Sequence, residues 1–321
     1  MTLSAPDWAA IDETIRCPLC TYNLRGLSQP RCPECGYRFE WVEVLDPTKR
    51  LHPYLFEHHP ERNVDAYFRT LVNGFRPRAF WTSLHPVQPS FPRRIILYWL
   101  VGVPLLIAAG MVCPLTQAHV VATDNALART AFEANPQRFL ANALTRKMFA
   151  EHGSMQQYFE AEMPTGMFGV LRRSVTESPT FLVVASLPYV IPLAWPWVTF
   201  VSLLVFLQSM KRAKVDRSHV LRCVVYSFDV AIWIGLAYLA IILLYLLGVL
   251  TPRLVTWRGV EAVYRMHCWI AVPFLLFAWL RMWIAYRMYL RFPHAVAVIG
   301  ATALIVVLAT AAFVGFLVFG W

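Results

Sequence analysis

Apolar residues crowd into long runs after Phe91, while the segment before it is polar and rich in Pro and Cys. Five runs are long enough to cross a bilayer: about 95–112, 181–210, 223–250, 266–288 and 295–319. A helix needs ~20 apolar residues to cross a ~30 Å hydrocarbon core. Lipid offers no partner for backbone N–H and C=O groups, so such runs must be helical. Pro188, Pro192 and Pro196 fall early in the second run and predict a kink or a start in the interface.

The stretches between the runs have their own pattern. Residues 114–179 are polar, with Leu127, Ala131 and Phe132, then Phe139, Leu140, Leu144 and Phe149, at helical spacing. That predicts an extramembrane insert of two or three amphipathic helices. In the juxtamembrane segment 51–92, a short amphipathic helix is predicted from Asp65 to Asn73. Ala66, Phe68, Leu71 and Val72 are apolar, Arg62 and Arg69 basic, and Asn73-Gly74 stops it. Ala79, Phe80, Trp81 and Leu84 form a second apolar cluster beside Arg76 and Arg78. Such segments are expected in the headgroup region, aromatic side in and basic side out. Pro86, Pro89 and Pro92 make a stiff linker into the first run.

The cysteines change the picture of residues 1–50. Cys17-Pro18-Leu19-Cys20 is followed by Cys32-Pro33-Glu34-Cys35-Gly36, and Cys-Pro-x-Cys-x-Tyr recurs at Cys17 to Tyr22 and at Cys32 to Tyr37. Two such knuckles can set four thiolates tetrahedrally around one structural Zn²⁺. Metal binding would then supply most of the folding free energy of so short a segment. Iron in the same S₄ set is not separated from zinc by ligand type alone. Disulfides do not suit a reducing compartment. The fold class predicted is therefore an all-α polytopic membrane protein of about five spans with a small N-terminal zinc-ribbon β-module. The predicted domains are the ribbon at 1–50, the juxtamembrane segment at 51–92 and a helical membrane domain at 93–321.

Charge sets the expected orientation. Only 15% of residues are charged, against ~25% in soluble proteins, and the net charge is +10. The basic residues sit beside apolar runs and form no dense stretch, which argues against a nucleic-acid surface. Asp7, Asp12 and Glu13 interrupt the start of the chain, so no cleaved signal is expected. Lys211, Arg212, Lys214, Arg217 and Arg222 follow the second run, and Arg287, Arg291 and His294 mark the turn at the end of the fourth. The positive-inside rule then predicts the cell (inner) membrane, with the N-terminus cytoplasmic and the C-terminus outside.

Two ionisable residues fall within runs at matching depth. Asp229 lies ~9 Å and Arg281 ~10 Å from the cytoplasmic ends of the third and fourth. Arg222, Tyr226, Asp229 and Trp233 share one face of the third. An unpaired charge there is costly, so Asp229 is expected to pair with Arg281 as a structural ion pair. His52, His58 and His59, with Glu57 and Glu61, are read as surface side chains of a Pro-interrupted loop rather than a second metal site.

The ribbon sequence, with Tyr22-Asn23-Leu24-Arg25-Gly26-Leu27 between its knuckles, resembles that of a group of uncharacterised bacterial multi-pass membrane proteins. Leu55-Phe56-Glu57-His58 and His219-Val220-Leu221-Arg222 with Tyr226-Ser227 resemble features of the same group. The layout of five spans after a cytoplasmic N-terminus resembles the Yip1-type fold, which implies membrane organisation or trafficking rather than catalysis. No nucleotide-binding, zinc-protease or serine-hydrolase motif occurs. The expectation is a membrane-anchored, non-catalytic adaptor whose ribbon binds a cytoplasmic protein partner. The alternative is a transporter or channel with the ribbon as a regulatory module.

Overall fold

In the computed structural model, the structure describes residues 6–137, 147, 155–177, 179–209, 215–247, 257–291 and 294–319. The described chain is helical, and its elements follow the apolar runs. After a short helix α1 (Trp41–Leu45) come α2 (Asn63–Asn73), α3 (Pro77–Ser83), α4 (Pro92–Leu100) and α5 (Gly102–Ala134). Then follow α6 (Met155–Glu162), α7 (Met167–Glu177), α8 (Pro179–Ser209), α9 (Arg217–Phe228), α10 (Val230–Leu246), α11 (Trp257–Ile284) and α12 (Ala295–Phe319).

Among the described residues, five stretches are long and apolar enough to cross a membrane: Pro92–Val112, Ser186–Leu204, Arg217–Leu244, Trp269–Tyr289 and Ala295–Phe316. The third begins six residues before the predicted 223, because Arg217, His219 and Arg222, which look like a cytoplasmic flank, are helical. His219 and Arg222 are also buried. The second is one unbroken helix through Pro188, Pro192 and Pro196. The predicted insert starts inside α5, which runs on to Ala134. Phe132 is buried against Phe159, while Leu127 is exposed. Phe139, Leu140, Leu144 and Phe149 lie outside the described residues.

The chain forms two compact units. One comprises residues 1–104, 192–233 and 273–313, and the other 105–191, 234–272 and 314–321. In the second unit, Ala118, Ala122 and Val170 form an apolar cluster, and Tyr189 and Tyr238 hold His267 by its ring and its carbonyl. The first unit contains the cysteine knuckles and the buried charges.

Two irregularities shape that unit. The third span tightens between α9 and α10 at Asp229, whose carbonyl accepts from Ile232 N–H in an i,i+3 bond. The fourth ends in a π-helical turn, Ala285–Tyr289. That turn carries Tyr289, which is fully buried, to the third span.

The structure shows the two cysteine knuckles but not the finer β-module expected for them. The knuckles make only two isolated antiparallel bridges, Arg16 with Asn23 and Arg31 with Arg38, and no strand occurs among the described residues. Proline in each knuckle removes a ladder donor, and the chain turns back within five residues. What remains is a pair of matching turns. Thr21 N–H bonds Cys17 O at 2.9 Å and Gly36 N–H bonds Cys32 O at 3.0 Å. Both turn residues have positive φ, 74° at Gly36 and 62° at Thr21. Glycine adopts that conformation freely, whereas Thr21 holds it with a β-branched side chain.

Candidate metal centre and buried charge network

The two knuckles bring Cys17, Cys20, Cys32 and Cys35 together, with all four Sγ atoms within 4.8 Å of one another. Cys17 Sγ lies 3.6 Å from Cys35 Sγ, and Cys20 Sγ 3.5 Å from Cys32 Sγ. Tetrahedral Zn–S bonds of ~2.3 Å require S···S edges of ~3.8 Å, so the cluster fits one tetrahedral metal with small adjustments. The hydrogen bond with Cys35 pulls the Cys17 thiol down to about 5, and the same contact pushes Cys35 up. Burial pushes Cys20 up to about 12. The protons are thus unevenly shared, and a metal would displace them all.

The knuckles are docked on helices through backbone groups. Leu19 O accepts from Asp216 N–H at 2.7 Å, and Pro18 O lies 2.7 Å from His219 Nε2. In the second knuckle, Arg291 donates to Arg38 O at 3.3 Å and its guanidinium lies over the Tyr37 ring. Tyr22, Asn23, Arg25 and Arg31 remain exposed.

His219 leads from the first knuckle into a buried network. Its Nδ1 lies 2.7 Å from Tyr289 Oη. That oxygen also accepts from Arg222 Nη1, at 2.7 Å. Arg222 Nε donates to Glu57 Oε1 at 2.8 Å, and both side chains are wholly buried. Its other donors reach Gln88 O and Pro89 O. Glu57 also accepts from Tyr226 Oη at 3.3 Å and from Phe91 N–H at 2.8 Å, just before the first span. The juxtamembrane segment is thereby fastened to the third and fourth spans.

This corrects the reading of the histidine cluster. His52, His58 and Glu57 are buried, and of the four residues that the sequence grouped with His59 only Glu61 is exposed. His52 N–H donates to His58 Nδ1 at 2.8 Å, so His58 Nε2 carries the proton donated to Pro89 O at 2.9 Å. Burial lowers His58 from its ordinary value and takes His52 down to about 3. These histidines are neutral packing and capping groups. Phe80 and Trp81 likewise do not face headgroups. They are buried beside Tyr226 and Tyr289.

Asp229 and Arg281 are also together: Arg281 Nη1 donates to Asp229 Oδ1, and Nη2 donates to Tyr226 O. Tyr98 of the first span donates to the other Asp229 oxygen at 2.7 Å. Gly74 sits against this guanidinium. A Cβ there would lie 2.5 Å from Arg281 Nη2, so any side chain at this position would have to displace the guanidinium from its place between Asp229 and Tyr226. Sequence reasoning found the four cysteines and the Asp229–Arg281 pair. It missed Glu57 as the partner of Arg222, and missed Tyr98, Tyr289 and His219. The run Leu55–His58 was noticed, but only as a pattern.

The arrangement can bind one tetrahedral metal and neutralise two buried cations. It offers no exposed nucleophile beside a base among these residues. Comparison with known proteins found no family model, no curated protein and no solved structure that matches this chain.

Proposed function

We propose that this protein is a membrane-anchored adaptor. Its four cysteines bind one structural zinc ion, and the ribbon meets a cytoplasmic protein partner with the face carrying Tyr22, Arg25 and Arg31. The observation that carries this reading is the docking of Pro18 and Leu19 onto His219 and Asp216. Both carbonyls lie between Cys17 and Cys20, so the metal that shapes the knuckle also seats it on the third span. A ribbon so held has a fixed orientation, which suits presentation of a binding face. The resemblance to the Yip1 layout, which implies membrane organisation, supports the same role.

The transporter reading would use the buried charges. Asp229, Arg281, Glu57 and Arg222 instead neutralise one another and bond neighbouring backbone, as structural pairs do. No catalysis is assigned.

The test uses the full-length protein in detergent. Metal content is measured together with partner capture for wild type, Cys32→Ser/Cys35→Ser and Tyr22→Ala/Arg25→Ala. One colourless zinc per chain, a partner lost in both variants and metal retained in the second are expected. A visible iron–thiolate absorption would replace zinc by iron. A partner that survives both variants would remove the ribbon from the role.

A further inference from the structure

We propose that α2 is an interfacial helix that inserts an outward apolar stripe into the leaflet on the ribbon's side and gathers anionic lipid headgroups on the arginines beside it. The helix is apolar on two sides. Ala66, Tyr67 and Leu71 point into the protein and are buried, along with Thr70. Val64, Phe68 and Val72 follow at i, i+4 and i+8 on another face and are 72%, 58% and 56% exposed. Phe75, 42% exposed, prolongs the stripe past the helix end. The inward residues satisfy the fold, so a second apolar row needs a separate explanation.

Its position gives one. Phe75 packs on Trp233 and Phe277 at ring-centroid distances of 4.6 and 6.0 Å, and both belong to membrane-crossing stretches. Gly74 rests on Arg281 of the fourth span. Tyr67 packs on Tyr98 of the first, at 4.9 Å. On that span Leu97, Leu100 and Val101 are exposed as well. The stripe therefore continues the apolar flanks of three spans, the surface that lipid must cover.

Charge decides the kind of lipid. Arg69 is paired with Asp65, and Arg62 with Glu61. Arg76 and Arg78 are exposed and have no acidic partner among the described residues. Two cations bordering an apolar stripe suit phosphate-bearing, net-negative headgroups. They also disfavour a second copy. A two-fold contact through this stripe would set arginine against arginine.

The experiment places benzoylphenylalanine at Phe68, or at Tyr22 as the ribbon control. The full-length protein is reconstituted in nanodiscs of equal phosphatidylcholine and phosphatidylglycerol. After irradiation, adducts are identified by mass. Lipid adducts at position 68 and none at 22 are expected. Phosphatidylglycerol adducts should outnumber phosphatidylcholine adducts by at least about twofold, falling to parity in Arg76→Gln/Arg78→Gln. Zinc content and monodispersity of each variant establish that it is folded. Absence of lipid adducts at 68, or cross-links there to another copy of the chain, would overturn the proposal. Parity in the wild type would overturn its headgroup half.

Discussion

The Glu57–Arg222 pair permits a quantitative test. In Glu57→Gln the side chain keeps its shape and loses its charge. The carboxylate accepts from Arg222 and Tyr226 on one oxygen and from Phe91 N–H on the other. An amide has one acceptor and one donor. Whichever way it turns, a buried donor meets a donor, at a cost of about 1–3 kcal/mol. Arg222 also loses its counter-ion, and breaking a buried pair costs about 3–5 kcal/mol in all. Three neutral oxygens still hold Arg222, those of Gln88, Pro89 and Tyr289, which puts the expectation near the lower figure, about 3 kcal/mol. At about 2–4 °C per kcal/mol, the apparent Tm in detergent should fall by roughly 6–12 °C. The assay is loss of the monodisperse chromatographic peak on heating. Glu57→Leu/Arg222→Met, which removes both charges, should regain much of the loss. A fall below about 2 °C for Glu57→Gln would show that the carboxylate does not hold the juxtamembrane segment, and would refute the reasoning.

Three further outcomes follow from the same geometry. Asp229→Asn and Arg281→Met should each lower folded yield more than the double variant does, with a coupling of about 1–3 kcal/mol; equal loss in all three would sink the pairing. His52 is held neutral by burial, down to about 3, so the unfolded chain takes up its proton first as pH falls. Its stabilisation is complete above about pH 6.5 and erodes below, by about 2 kcal/mol at pH 5. Tm measured at pH 7.5 and 5.0 should show a smaller drop in His52→Gln, and identical drops would count against the assignment. Thr21→Gly should stabilise the first knuckle by about 1 kcal/mol by relieving its positive φ, read with the proposed metal loaded as its slower loss to a chelator; faster loss would deny the strain.

Much of this was legible because the signals were local or one-dimensional. Cysteine spacing marks the candidate metal site whatever surrounds it. Asp229 and Arg281 announced each other because a charge inside an apolar run demands a partner and depth along a helix can be counted. Glu57 announced nothing. It lies in a segment interrupted by Pro53 and Pro60, where no periodicity tells inside from outside. Arg222 had a sufficient explanation already, as one of several cytoplasmic cations. The faces of α2 were misjudged for a related reason. A helix with apolar residues on two sides does not say which side meets protein and which meets lipid. Phe68 and Val72 were grouped with Ala66 and Leu71, and the structure separates them. The π-turn that brings Tyr289 to Arg222 has no sequence signature at all.

The docking contacts also set a timetable for biogenesis. Glu57 leaves the ribosome 165 residues ahead of Arg222, and Pro18 201 residues ahead of His219. At ~5–20 residues per second, the first delay alone lasts roughly 8–33 s. Throughout it the nascent N-terminal segment waits without its eventual seat. Among the described residues the contact most distant in sequence, Arg291 with Arg38, spans 253 residues and forms only after the fourth span has been made. Formation of the knuckles and their final seating are therefore separated in time, the second completed only when the chain is nearly made.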